Sequence, residues 1–103
     1  MSVVSRQESV VSPIPVRKGF KGLTVWQRAK VLVAEVYRLS SSFPKEELYG
    51  LTNQMRRCAV SIPSNIAEGH ARSAKDFARF VDIAYGSLNE LETQLEIACD
   101  LRF

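Results

Sequence analysis

The sequence predicts an all-α protein, built as an antiparallel, up-and-down helix bundle. Apolar residues recur every three or four positions over three long stretches of the chain, which is the period of an amphipathic helix. No stretch of any weight alternates apolar and polar residues in the way that a half-buried strand does. Short polar turns separate the three stretches, and short loops are typical of antiparallel neighbours in a bundle.

The first helix is predicted to begin near Val25. Thr24 is followed three residues later by Gln27, the spacing of a capping box that satisfies free backbone N–H groups at a helix start. Trp26 opens the apolar stripe of this helix, and we interpret its large ring as a core or interface anchor rather than a platform for nucleic-acid bases. A run of serines, Ser40–Ser42, is predicted to end the helix.

The second helix carries a proline inside its apolar pattern. Its stripe consists of Leu51, Met55, Ala59, Ile62 and Ile66. Because Pro63 has no N–H to donate and its ring crowds the preceding turn, we expect the helix to kink there, or to stop and restart. Asn65 is interpreted as a local hydrogen-bonding residue beside this defect. Gly69 is predicted to end the helix in the C′ position.

The third helix has the strictest pattern. Ser73 and Asp76 form a second predicted capping box at its start. Its apolar seam follows a heptad spacing through Phe77, Val81, Ala84, Leu88, Leu91, Leu95 and Ala98. Phe80 and Ile83 lie outside that seam, which indicates neighbours on more than one side. Gly86 costs about 1 kcal/mol relative to alanine within a helix unless another backbone packs closely there.

Residues 1–22 are predicted to be a flexible basic tail and residues 23–103 the helical bundle domain. The tail carries the whole net charge of +3, since Arg6, Arg17, Lys18 and Lys21 outnumber Glu8. Its serines, prolines and glycines lack sustained periodicity. The N-terminus has no apolar signal-peptide region, so we expect a cytoplasmic protein with no membrane partner.

The remaining charges are polarised along the chain, with basic residues ahead of acidic ones. The candidate nucleic-acid-binding residues are Arg56, Arg57, Arg72, Lys75 and Arg79. The last three are spaced by three and four, so they share one side of the chain where the third helix begins. These residues could together contact phosphates. The alternative is a solvated face whose charges pair with Glu68, Asp76 or a neighbouring subunit.

No arrangement of residues in the sequence predicts catalysis, a cofactor or a small-molecule substrate. His70 is the only histidine, and it has no cysteine or carboxylate partners at metal-ligand spacing. Cys58 and Cys99 lie too far apart in sequence for a metal pair and are interpreted as free thiols. We therefore expect no catalytic residue, no metal site and no enzyme.

The chain resembles the four-helix-bundle proteins encoded in intervening sequences of bacterial 23S rRNA genes. The resemblance covers residues 23–101, and its most specific part is the segment SIPSNIAEG, residues 61–69. It implies an up-and-down four-helix bundle that assembles as a homopentamer. The apolar patterns of the first and third helices place Trp26, Phe77, Val81, Leu88, Leu91 and Leu95 in core or oligomer packing. A related branch, the accessory variability determinants of diversity-generating retroelements, is basic and works with nucleic acid, so the resemblance implies RNA or DNA as a possible partner.

Members of that family continue with a turn and a fourth helix, whereas this sequence stops at Leu101-Arg102-Phe103. We therefore expect a bundle of the four-helix type without its fourth helix, and an apolar groove along the first three. Two hypotheses follow. The protein self-associates and binds nucleic acid through basic helix faces, or it is a structural module whose groove accepts a helix from a partner protein.

Overall fold

The computed structural model describes residues 19–103. Three α-helices follow one another: α1 spans Thr24–Ser40, α2 spans Leu51–His70 and α3 spans Ala74–Asp100. Short 3-10 turns lie at Gly19–Gly22 and Lys45–Glu47. The described residues contain no strand, so the predicted all-α fold is confirmed. Most of the predicted tail, residues 1–18, lies outside the described residues.

Helix α2 is the centre of the structure. Both α1 and α3 pack against it, whereas no Cα atom of α1 lies within 8 Å of one in α3. The chain measures only 18 Å in its thinnest direction, which is less than two helix diameters. The arrangement is that of a four-helix bundle with one helix missing, and it leaves the space between α1 and α3 open.

The core lies along the face of α2 that meets both neighbours. Met55 and Ala59 are fully buried, and Ile66 is nearly so. Leu91 of α3 and Val36 of α1 are the counterparts on the flanking helices, with exposed fractions of 1% and 3%. Burying apolar side chains from both flanking helices on one stripe is what holds three short-looped helices together.

Of the two predicted helix caps, the one at α3 is present and the one at α1 is not. At α3 the Ser73 Oγ accepts a hydrogen bond from the backbone N of Asp76 at 3.3 Å, as the sequence predicts. At α1 the expected cap is wrong, because Leu23 occupies the N-cap position and no side chain caps the helix. The amide of Gln27 instead donates to the carbonyl of Lys21 at 2.9 Å, which joins the preceding turn to α1.

Gly69 does not end α2 as predicted, because the helix continues through His70. Its role is in packing. A Cβ atom at position 69 would lie 2.5 Å from the Cβ of Phe80 and 3.2 Å from a ring atom of Phe77. Only glycine lets α2 and α3 approach this closely at the turn that joins them.

Helix α2 runs as one continuous helix through Pro63, so it does not stop and restart there. Pro63 is buried on the core side. The Nδ2 atom of Asn65 donates to the carbonyl of Ser61 at 2.7 Å, which confirms the predicted local hydrogen bond near the proline.

The seam residues of α3 divide between the core and the open side. Leu91 is buried, and Phe77, Leu88 and Leu95 pack partly buried against the core. Val81 is 38% exposed, whereas Phe80, outside the heptad seam, is only 8% exposed. Val81, Leu88 and Leu95 of the predicted seam therefore border the space between α1 and α3, whereas Ala84, Leu91 and Ala98 lie in the core. Trp26 of α1 is also partly buried against the core.

Candidate nucleic-acid interface

Arg56 is a structural clamp between α1 and α2. Its Nε atom donates to the Ser40 hydroxyl at 2.8 Å and its Nη2 atom donates to the carbonyl of Tyr37 at 3.3 Å. The guanidinium also lies 4.6 Å from the centre of the Tyr37 ring. A cation at the C-terminal end of a helix interacts favourably with the partial negative charge of the last carbonyl groups. The contacts made by Arg56 are thus directed into the fold.

Arg72 and Arg79 form a basic cluster at the turn between α2 and α3. Both guanidinium groups lie over the ring of Phe80, at 5.1 and 4.7 Å from its centre. Arg72 also pairs with Glu68 at 3.1 Å, and both side chains of that pair stay about half exposed. Lys75, in the first turn of α3, is exposed and precedes Arg79 by one helical turn. We call Arg72, Lys75 and Arg79 the basic turn.

Arg57 is separate from the basic turn. Positions 57 and 70 are thirteen residues apart on one helix, which is about 20 Å along its axis. Arg56 and Arg57 are neighbours in sequence but point about 100° apart around α2. The structure therefore brings Arg72 and Arg79 together on Phe80, with Lys75 one helical turn from Arg79, and leaves Arg56 and Arg57 in two other environments.

Arg57 lies in a polar groove between α2 and α3, on the side away from α1. The groove has a volume of about 560 Å³ and is lined by Tyr49, Asn53, Gln54, Arg57, Cys58, Ser61, Ser87 and Glu90. We call it the polar groove. Sequence reasoning missed it, although Tyr49, Asn53, Arg57 and Ser61 recur every four residues, which is the spacing of one helix face. Only the register between α2 and α3 adds Ser87 and Glu90.

The inner wall of the polar groove is held by hydrogen bonds between the two helices. The hydroxyl groups of Ser61 and Ser87 are 2.7 Å apart, and the Cys58 thiol donates to the carbonyl of Ser87 at 3.0 Å. Burial raises the pKa of the Cys58 thiol, and the neighbouring Glu90 carboxylate raises it further. Cys58 is therefore a protonated, structural thiol at neutral pH.

Glu90 is oriented within this wall. The Nε2 atom of Gln94, which is only 6% exposed, donates to the Glu90 carboxylate at 3.4 Å. Within residues 19–103 the ion pairs are Arg38 with Glu35 and Arg72 with Glu68. Neither Arg57 nor Glu90 takes part in an ion pair there, so both charges face the polar groove.

An apolar opening lies on the opposite side, between α1 and α3. Two stripes border it: Val25, Leu32 and Leu39 on α1, and Val81, Leu88 and Leu95 on α3. Each set is spaced by seven residues and so follows one side of its helix. Val25 and Leu39 are 55% and 48% exposed. Because Tyr37 and Ser87 contact α2 on the outer edges of the two interfaces, these stripes face the opening.

The histidine and cysteine side chains lie apart from one another within residues 19–103. His70 packs edge-on against the Phe77 ring at 5.9 Å. Cys99 is exposed, far along α3 from Cys58. Nowhere in residues 19–103 do three histidine, cysteine or carboxylate side chains cluster as a metal site would require. None of the described helices is both long and apolar enough to cross a bilayer.

Comparison with known proteins points to one family. The sequence model of the family described as 23S rRNA-intervening sequence protein matches residues 21–103, which is most of the chain. A search of curated proteins found no match. The matched range covers all three helices and both candidate surfaces, the basic turn and the polar groove.

Proposed function

The chain belongs to the 23S rRNA-intervening sequence protein family, and on that premise we propose that it is a non-enzymatic protein that self-associates and binds RNA or DNA. The observation that carries the nucleic-acid part is the basic turn. There the guanidinium groups of Arg72 and Arg79 rest on Phe80, and Lys75 lies one helical turn from Arg79.

The basic turn suits phosphate binding for two reasons. The guanidinium groups of Arg72 and Arg79 are held in place by the Phe80 ring, so less side-chain freedom is lost on binding. Glu68 offsets one charge, yet Arg72 is still 46% exposed and can exchange that partner for a phosphate oxygen. Contacts of this kind are independent of nucleotide sequence.

The nucleic-acid part is tested by fluorescence anisotropy with labelled RNA over a range of salt concentrations. Replacing Arg72 and Arg79 together by alanine is expected to weaken binding by roughly tenfold and to lower the salt slope by about two. Lys75→Ala, which removes an exposed side chain, is expected to lower the slope by about one. Substitution of Arg28 and Arg38 on α1 is the matched control for net charge and should leave the affinity nearly unchanged.

A wild-type protein that binds no RNA or DNA at low salt would refute this part of the proposal. Equal losses in the α1 control and in the basic-turn variant would show that net charge, and not this surface, is responsible. Circular dichroism of each variant confirms that the helices are intact.

Self-association is supported by the apolar opening between α1 and α3. Half-exposed side chains along both stripes favour association, because burying them removes apolar surface from water. We propose a homo-oligomer, with five copies as the expected number. Light scattering of the wild type at micromolar concentration is expected to give the mass of an oligomer, and Leu39→Glu with Val81→Glu is expected to shift it toward the monomer. A wild type that is monomeric there rules this part out.

The same opening favours a second candidate function, in which a helix of a partner protein occupies it and nucleic acid has no role. That function predicts a protein that binds an amphipathic helical peptide but neither RNA nor DNA. Titration of the peptide into the wild type and into the Leu39→Glu, Val81→Glu variant tests the second function. That function predicts that the wild type binds the peptide and that the variant does not.

A further inference from the structure

We infer that the polar groove is a second nucleic-acid site, which takes a single-stranded segment through one of its bases. Tyr49 stacks on the base, Glu90 with Asn53 and Gln54 contacts its polar edge, and Arg57 binds an adjacent phosphate. This inference rests on the proposed binding of nucleic acid and gives it a strand type and a base preference. The basic turn then supplies a separate, sequence-independent contact.

Tyr49 is the most exposed large hydrophobic residue of the described structure, with 91% of its surface accessible. It precedes α2 by two residues and lines the polar groove at one end. An aromatic ring with both faces free offers a stacking platform, and stacking is available to any unpaired base. In a duplex the bases are already stacked on each other, so the ring selects single strands.

The groove also offers hydrogen-bonding groups of both kinds. The amides of Asn53 and Gln54 each carry donors and an acceptor, as the edge of a base does. Glu90, held by Gln94, presents an acceptor. A carboxylate accepts from an exocyclic amino group, which cytosine, adenine and guanine possess and uracil lacks. The composition of the groove therefore predicts weaker binding of uracil.

Arg57 supplies the cation that a nucleotide requires next to its base. It is exposed, one helical turn from Asn53, and has no ion-pair partner among the described residues. A guanidinium is suited to phosphate because two of its N–H groups can bind two oxygens at once. Its separation from the basic turn of about 20 Å along α2 lets one extended strand reach both surfaces.

The size of the polar groove agrees with this ligand. Its volume of about 560 Å³ lies within the range of small-molecule sites, and the groove is open along its length. A single nucleotide can enter while the rest of the strand continues outside it. Ser61 and Ser87 bond to each other and form the floor, so the groups that remain free are those at the rim.

The test compares oligonucleotides of about ten residues made of cytidine, of uridine, or of paired RNA, with the full chain and anisotropy as the readout. Tyr49→Ala is expected to weaken binding of the cytidine strand by roughly tenfold and to leave duplex binding unchanged. Tyr85→Ala is the matched control, because Tyr85 is a tyrosine of α3 that is 64% exposed and lies outside the polar groove.

Glu90→Gln tests the base preference separately, since glutamine is similar in size and both donates and accepts. The wild type is expected to bind cytidine strands several-fold more tightly than uridine strands, and Glu90→Gln is expected to remove most of that difference. Retention of total affinity for duplex RNA shows that the variant is folded and that the basic turn still works.

The outcomes distinguish this inference from the proposed binding of nucleic acid by the basic turn. Equal effects of Tyr49→Ala and Tyr85→Ala, or equal binding of cytidine and uridine strands, overturn the polar groove as a base site. If the basic-turn variant still loses duplex binding in those circumstances, the proposed function stands without this inference. Absence of binding to every oligonucleotide overturns both.

Discussion

Helix α2 meets its two neighbours in different ways, although both interfaces use the same continuous helix. Against α3 it packs through Gly69, where the backbone of one helix approaches the Phe80 side chain of the other with no room for a methyl group. Against α1 it is held at one end by Arg56, whose guanidinium binds the C-terminal residues of α1. The α2–α3 interface contains a close approach that leaves no room for a methyl group, whereas at the C-terminal end of α1 a polar clamp adds to the apolar packing. A substitution is therefore expected to lower the free energy of unfolding most where the two helices have no room for an added side-chain atom.

The largest effect is expected at Gly69. Replacing it by alanine places a Cβ 2.5 Å from the Cβ of Phe80, and this forces the helices apart. Overpacking of this kind lowers the free energy of unfolding by about 3 kcal/mol. Chemical denaturation measures it. Gly86→Ala is the matched control, since nothing lies within 4 Å of its added methyl group, and it should raise stability by about 1 kcal/mol. Similar losses at both glycines would contradict the close approach.

A smaller effect is expected at Arg56. Its replacement by alanine removes two hydrogen bonds and the contact with Tyr37, which should lower the free energy of unfolding by about 1 kcal/mol at this partly exposed site. Arg57→Ala should change it by less than about 0.5 kcal/mol, because Arg57 makes no such contacts with residues 19–103. Thermal unfolding of the two variants provides the comparison. Equal destabilisation by both would show that the clamp contributes nothing.

The smallest effect is expected in the reaction rate of the Cys58 thiol, which tests whether the α2–α3 interface stays closed. Because its pKa is raised, Cys58 carries less thiolate than an ordinary cysteine at any pH near neutrality. Cys58 should therefore react more slowly than the exposed Cys99 with a thiol reagent, and its rate should rise at a higher pH. Cys58→Ser and Cys99→Ser, each leaving one thiol, isolate the two rates. Equal rates in the folded protein would show that the interface opens readily.

Stability linked to the Cys58 thiol has a definite sign. Since the pKa of Cys58 in the folded protein lies above the ordinary cysteine value of 9.0, the folded protein holds this proton more tightly than the unfolded chain does. The contribution is complete below pH 9.0 and is lost as the pH rises through the folded pKa. Cys58→Ser should remove this part of the alkaline destabilisation.

Several features of the fold could be predicted from local sequence alone. The three helices, the Ser73 cap of α3 and the hydrogen bond of Asn65 depend on residues within a few positions of each other. The cap predicted for Thr24 was wrong because the preceding turn, tied by Gln27, brought Leu23 to that position. The role predicted for Gly69 was wrong because the reason for a glycine there lies on another helix.

The candidate sites likewise divide into a part that local sequence predicts and a part that depends on how the helices pack. The spacing of Arg72, Lys75 and Arg79 predicts that they lie close together, since all three fall within about two helical turns of chain. The sequence does not predict that Arg56 contacts α1 while Arg57 lines the polar groove. The two side chains point about 100° apart around α2, but the environment of each depends on where the neighbouring helices lie. The polar groove needed Glu90 and Ser87 from α3, whose register against α2 no local pattern specifies.

The sequence by itself determined the helical class, the approximate extent of each helix and the family, because helix periodicity and short motifs are local properties of the chain. Only the tertiary structure decided which side of α2 each neighbour covers. That choice leaves Val81, Leu88 and Leu95 of the α3 seam bordering an open space, closes Gly69 on Phe80 and creates the polar groove. The physical reason is that packing depends on the joint shape of two surfaces, and each sequence segment specifies only its own.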